Sequence, residues 1–495
     1  MDSKLNRRQF LQFAGAASGV AILAACAPAA KPAEPTQAPA AAEATTPPEA
    51  TQAAEPTQAA AAAPAGGSVK LQIMWRSDPN EIPMVDEEMA KFHEKNADIT
   101  MEKILAPWDE YEPKLMSLYA GGIAPDIYGT GGTNPYVERS YRGMVLALDP
   151  FIEKEGTDFT SDIFPVALNT YKRGGKTVAL TFAICVAGMW INQTRWEEAG
   201  VPLPPFDWSK KWTWEEMIDA AHKLTKTDSS GKTTVFGVNL GHYTPWYYTR
   251  LWGQDLVSAD DYAAGILHDW QASSNKDVYD ACVSGLQARA DAMLKEKVMP
   301  DPATSTALGQ IGPMLKTGAI AMEFTGAWDL WGDLPKDFKF TAAINPTGGV
   351  NGSGTTCKNI WAEPLEINSK TKYPDQAWTF VKFMTVDADS VAIQLAHRNL
   401  VPAKKGLIDQ FIKLNSPKMT MSPEDQKTFF IGAIEQANTT VPDHILVANA
   451  AVRDIMGSEL DPVWKGNKTA KEAIDTLLPK VKAKCDEVLK GLNLS

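Results

Sequence analysis

An α/β architecture is what this sequence predicts. Strand-like and helix-like segments alternate from residue 69 to the C-terminus. Nothing repeats at the period of a solenoid. The composition, 44% hydrophobic and 22% charged, is that of an ordinary globular chain. Taken in order, Val69, Leu71, Ile73 and Trp75 alternate with Lys70, Gln72 and Met74, which predicts a strand. Val85, Met89 and Phe92 stand at i, i+4 and i+7, the spacing of one helix face. Ala179 to Ile184 reads as a buried strand. Thr213-Trp-Glu-Glu216 is a capping box that opens a helix with Trp214, Met217, Ile218, Ala221 and Leu224 on one face. Ala319 to Phe324 predicts another strand, and Ala377, Phe380, Val381 and Met384 a helix beginning near Pro374. Thr469 and Glu472 form a second capping box, before a stripe of Ile474, Leu477, Val481 and Val488 that Pro479 is expected to kink. Trp214 and Trp378 fall on apolar helix faces and are assigned to the core.

The N-terminus reads as an address and a tether. Lys4, Arg7 and Arg8 precede an apolar run, Ala14 to Ala25, that is shorter than the roughly 20 residues a spanning helix needs. The run ends in Leu23-Ala24-Ala25-Cys26, which resembles a lipobox; Cys26 would then be diacylated. Two acyl chains anchor stably where one would not. Arg7-Arg8-Gln9-Phe10-Leu11 resembles the twin-arginine export motif, although Asn6 and Gln12 depart from its usual residues. Residues 27–68 hold no aromatic and repeat Glu34-Pro-Thr-Gln-Ala38 at Glu49–Ala53, with one change, and at Glu55–Ala59. Such a segment buries too little apolar surface to fold, and its prolines keep it extended. Some 40 residues of this kind reach at most about 130–140 Å.

Charge and motif content exclude several classes. A net charge of −12 argues against nucleic acid as a partner. The five cysteines, Cys26, Cys185, Cys282, Cys357 and Cys485, have no CxxC spacing; the last four are either disulfides or isolated buried thiols. The six histidines are scattered, with no HExxH or Cys/His cluster, so neither a metal nor a cofactor is expected. No GxGxxG, P-loop or GxSxG is present. Gly129-Thr-Gly-Gly132 lacks the Lys-Ser/Thr of a phosphate cradle and is read as a loop at a cleft, or simply a turn.

Several segments, in order, resemble extracellular solute-binding proteins of the maltose-binding type. They are Ala124-Pro-Asp-Ile-Tyr128, Gly143-Met-Val-Leu-Ala-Leu-Asp149, and Tyr171 through Gly200 with Met189-Trp-Ile-Asn192 inside it. Trp212-Thr-Trp-Glu-Glu216, Met314 to Met322 with Gly326-Ala-Trp328, Ser369 to Phe383 and Asn399 to Pro402 follow. The resemblance implies a periplasmic-binding-protein type II fold: two lobes, each a mixed sheet flanked by helices, joined by a multi-strand hinge. The chain would cross near Phe182–Ala187, Cys357–Ala362 and Val401–Lys405. Lobe 1 would comprise 69–183 plus 361–402, and lobe 2 184–360 plus 403–495. The implied function is capture of a sugar or oligosaccharide in the cleft by a monomer, and its delivery to the permease subunits of an ABC importer.

A sugar offers hydroxyls and an apolar C–H face, so its site needs aromatic planes and convergent polar groups. The candidates at strand ends and loops are Trp75, Asp78, Trp108, Tyr111, Trp190, Asn192, Trp246, Tyr247, Trp328, Asn359 and Trp361, with Tyr243 in the same run as Trp246. Trp246 and Trp328 are the best placed for stacking, and Glu323 and Arg398 are possible hydroxyl partners. A lipid-anchored glycoside hydrolase or a carbohydrate-binding adhesin are the alternatives. The former would need two carboxylates facing each other.

Overall fold

The computed structural model describes residues 68–494, apart from 132–135, 242–243, 310–311, 328–333, 356–358, 399, 438–441 and 443–444. The expected signal segment with Cys26, the linker as far as residue 67, and Tyr243, Trp328 and Cys357 lie outside the described residues. The strands are β1 (Val69–Arg76), β2 (Ile99–Ala106), β3 (Ile127–Tyr128), β4 (Lys172–Arg173), β5 (Lys176–Thr177), β6 (Leu180–Asn192), β7 (Lys226–Thr227), β8 (Thr233–Leu240), β9 (Ile320–Gly326), β10 (Phe340–Ala343), β11 (Asn359–Ile367) and β12 (Val401–Pro402). The helices that matter below are α1 (Ile82–Lys95), α2 (Trp108–Ala120), α3 (Tyr136–Tyr141), α4 (Gln193–Ala199), α5 (Trp214–Leu224), α6 (Pro245–Leu251), α7 (Lys276–Leu294), α8 (Pro302–Ala307), α9 (Pro374–Val386), α10 (Pro423–Gln436), α11 (Asn449–Trp464) and α12 (Ala470–Gly491).

Local signals in the sequence account for most of these elements. Both capping boxes form, with Thr213 on the Glu216 amide and Thr469 on the Glu472 amide. Trp214 and Trp378 are buried, the latter donating from Nε1 to Glu155 at 3.0 Å. The last helix, α12, continues through Pro479 rather than ending there. Its buried stripe of Ile474, Leu477, Val481, Cys485 and Leu489 holds it against the body, which offsets the hydrogen bond proline cannot donate. The described cysteines, Cys185, Cys282 and Cys485, are all buried. No described helix is long and apolar enough to cross a membrane.

Ten strands form one mixed sheet in the order β2-β1-β3-β11-β6-β9-β8-β7, with β10 and β12 also paired to β6. The β1–β2, β1–β3 and β8–β9 pairs are parallel, and the rest are antiparallel. The organising element is β6, longer than the Ala179–Ile184 strand the sequence suggested. All of its 13 residues are buried. A strand covered on both faces shows a nearly continuous apolar run, and the small residues Ala187 and Gly188 hide its second half. Both neighbours of β6 change near its middle. On one edge β11 pairs with Leu180–Ala187 and β10 with Met189–Asn192; on the other β12 pairs with Ala183–Ile184 and β9 with Ala187–Ile191. Gly188 marks the change. A Cβ there would come within 2.8 Å of the Ala343 carbonyl and of the Phe429 ring. Residues 61–495 form one compact unit.

Candidate functional site

Seven of the expected site residues are claimed by other work, and each is a correction with a packing reason. Trp75 has no exposed surface; its Nε1 donates to Glu81 at 2.8 Å and its ring lies 5.9 Å from Phe182. Tyr111 is equally buried, its hydroxyl donating to the Gly129 carbonyl at 2.8 Å. Trp190 is surrounded by Phe340, Phe429 and Phe430 and donates to the Thr325 carbonyl at 3.0 Å. Asn192 caps α4, accepting from the Arg195 amide at 3.2 Å and donating to the Leu315 carbonyl at 2.9 Å. Tyr247 stacks on Phe324, with ring centroids 3.9 Å apart. Glu323 is fully buried on β9, accepting from Asn239 at 2.7 Å and from the Gly312 amide at 3.1 Å. Arg398, expected as a hydroxyl partner, is instead 1% exposed and ion-paired with Glu81 and Glu363. Asp78 closes a turn by accepting from the Asn80 amide at 2.8 Å. The glycines of the 129–132 loop that are described serve packing: a Cβ on Gly129 would strike the Trp75 ring and one on Gly131 the Tyr111 ring.

Of the described candidates that remain, Trp246, Asn359 and Trp361 come together at one face of β11, and Trp108 reaches it through Arg76 and Glu363. Alternation along a strand puts Asn359, Trp361 and Glu363 on the same side. The Trp361 ring meets Trp246 of α6 edge to face, centroids 6.4 Å apart. Arg250, one turn further along α6, lies 5.3 Å over the Trp246 ring and is held by Asp255 at 2.8 Å. Trp246 is 4% exposed, and its Nε1 is buried with no hydrogen-bond partner among the described residues. A buried indole N–H usually has a partner, so this donor is the polar atom at the site best suited to a ligand acceptor.

Two residues along the same face, Glu363 anchors a buried charge cluster. It accepts from Thr130 Oγ1 at 2.5 Å and sits 3.8 Å from Arg76 and 3.4 Å from Arg398. Glu81 takes Arg76 Nε at 2.6 Å and Arg398 Nε at 3.1 Å. The Arg76 guanidinium in turn lies 5.4 Å under the half-buried Trp108 ring. Burial pushes both carboxyls up, but Arg398 and Arg76 outweigh it, so Glu81 is held down to about 2 and Glu363 is also lowered. Two arginines balance two glutamates, leaving the cluster without net charge. Glu81, Glu363, Thr130 and Arg250 were not among the expected site residues. The only sequence hint for the first two is a glutamate at a position that must face inward, Glu363 by strand alternation and Glu81 by its place before α1.

A second buried network braces the back of this wall. Arg139 of α3 joins Glu112 of α2 and Glu366 of β11, both at 2.6 Å. Burial pushes the Glu366 carboxyl up to about 7 against the pull of Arg139. A folded value above the unfolded one of about 4.3 stabilises the fold most below that pH, and the contribution is lost as pH rises towards 7. Glu366→Gln is therefore expected to match the unsubstituted protein in urea melts at pH 4.5. At pH 8 it should be the more stable of the two. Equal differences at both pH values would refute this.

Residues 78–390 match the family described as bacterial extracellular solute-binding proteins. A binding protein of Brucella abortus is 24% identical over 311 residues, spanning 61% of this chain and 68% of that one. The structure of an ABC substrate-binding protein from Listeria monocytogenes in complex with cycloalternan aligns with a TM-score of 0.67 at 22% identity, covering 86% of this chain and 100% of that one. A maltose-bound protein from T. maritima aligns with a TM-score of 0.65 at 17% identity, covering 84% and 99%. At such identities these structures speak to the fold, which is the periplasmic-binding-protein type II fold the sequence implied. The family match spans more than half of the sequence, and this chain belongs to the bacterial extracellular solute-binding proteins.

Proposed function

We propose that this protein captures a neutral sugar or oligosaccharide between the two halves of its sheet and delivers it to an ABC importer. The observation that carries the reading is the face of β11. There Trp361 meets Trp246 of the other half edge to face, and two residues along the same face Glu363 pairs with Arg76, which lies under the Trp108 ring. Flat rings suit the C–H face of a pyranose, and the charge-balanced cluster suits a ligand without net charge. The solved relatives bound to cycloalternan and maltose support this chemistry. In this reading lobe 1 is 69–183 plus 361–402 and lobe 2 is 184–360 plus 403–495, and closure bends β6 and β11 where their neighbours change. A ligand touching both lobes favours the closed form by its differential contacts. Cys26 would carry the lipid anchor on the outer face of the cytoplasmic membrane, after export by the twin-arginine route, and the linker would let a monomer range above it.

The site binds without making or breaking a bond. A glycosidase needs one carboxyl kept protonated as an acid, whereas Glu81 and Glu363 are both ion-paired and held low. The test is a melting-temperature screen against mono- and oligosaccharides, polyols and phosphate esters, with chromatography of the same mixtures for products. A saccharide at 100 times its Kd should add about 2.7 kcal/mol of stability. Stabilisation by phosphate esters alone, no response to any saccharide, or saccharide products would each overturn the proposal.

A further inference from the structure

A pocket lies at the end of β8, between α7, α8 and α11. Its volume is about 380 Å³, within the roughly 300–1,000 Å³ of small-molecule sites. Two other cavities, of about 170 and 220 Å³, fall below that range. The pocket is lined by Asn239 at the end of β8, Arg289 of α7, Met299, Thr306 of α8, and Asp461 and Trp464 of α11. Arg289 is 6% exposed, and its guanidinium lies 4.2 Å over the Trp464 ring. The opening of the pocket has a specific cause. Gly457 lines it from inside α11, where a Cβ would meet nothing within 4 Å. Glycine inside a helix costs roughly 0.5–1 kcal/mol relative to alanine, and no close packing demands it here.

The lining selects a ligand class. Met299 and Trp464 give an apolar floor. The polar groups include the Arg289 guanidinium, the Asp461 carboxylate paired with Lys465 at 2.6 Å, an amide and a hydroxyl, so both donors and acceptors are present. That combination fits a neutral polyhydroxylated molecule better than an anion or a lipid. We propose that this pocket is a second, weaker saccharide-binding site. It stands independently of the β11 face. Gly241, also in its lining, is five residues before Trp246 and so within about 18 Å of it along the chain. A long oligosaccharide could therefore engage both sites.

The test uses isothermal titration of the full chain with glucose, maltotriose and xylitol, and with inorganic phosphate as the anionic control. In a Trp246→Ala background, glucose or maltotriose should still bind, with a millimolar Kd. Gly457→Phe, which fills the pocket, should weaken that residual binding at least tenfold. Asp461→Asn, at a half-buried position where the carboxylate pairs with Lys465, should weaken it about threefold. No saccharide binding in Trp246→Ala, binding of phosphate instead, or residual affinity unchanged in both pocket variants would overturn the proposal. Failure of the reading for the β11 face looks different: Trp246→Ala would then bind every polyol as tightly as the unsubstituted chain.

Discussion

Trp246→Ala should lower affinity for the saccharide that most stabilises the protein by about 100- to 1,000-fold, or roughly 3–4 kcal/mol at 1.4 kcal/mol per tenfold. Three features make this ring the anchor. Arg250 covers one side of it, Trp361 fixes its edge, and its Nε1 has no hydrogen-bond partner among the described residues. Removal takes away a rigid stacking plane and the donor together. Trp246→Phe separates the two losses. It keeps a plane and drops the N–H, so the expected cost is about tenfold, near the 0.5–1.5 kcal/mol of one hydrogen bond. Isothermal titration reads both, with circular dichroism as the folding control. Unchanged affinity in the alanine variant would remove Trp246 from the site.

The largest stability effect is expected for Arg398→Met. The guanidinium is shared between Glu81 and Glu363, all of it out of water. Breaking one partner of a buried pair leaves charge uncompensated and costs about 3–5 kcal/mol, whereas surface pairs are worth about 0–1. The urea midpoint should fall accordingly at unchanged m-value. The acid limb adds a second readout. Glu81 is held down to about 2 although burial pushes the other way, because Arg398 and Arg76 outweigh it. A depressed carboxyl stabilises the fold above the unfolded value of about 4.3 and loses that contribution as pH falls towards 2. Without Arg398 the loss should begin at higher pH. Superimposable pH–stability curves would mean that Arg76 alone carries the pairing.

What could be read from the sequence was local. The strand at Val69, the helix at Val85–Phe92 and both capping boxes rest on neighbours a few residues apart, and each formed. The ordered motifs carried the fold because their sequence spans nearly the whole globular part. The site was only partly legible. Trp246, Trp361 and Trp108 stay candidates, since Trp246 and Trp361 meet edge to face and Trp108 covers Arg76. Trp75 and Trp190 do not, because each ring has no exposed surface and its N–H is already taken, by Glu81 and by the Thr325 carbonyl. Asn192 follows the usual chemistry of a helix start, which competes with any ligand role. Glu81 and Glu363 were invisible as a pair, because only the tertiary fold brings the start of α1 to β11.

The uninterrupted run of β6 through both halves of the sheet has a thermodynamic consequence. Neither half can melt while the other stays native without stripping partners from the same backbone, and every residue of that backbone is out of water. Calorimetry should therefore record one cooperative endotherm for the globular part, with van't Hoff and measured enthalpies in agreement. Two resolved peaks would mean that the shared strand does not couple its flanks.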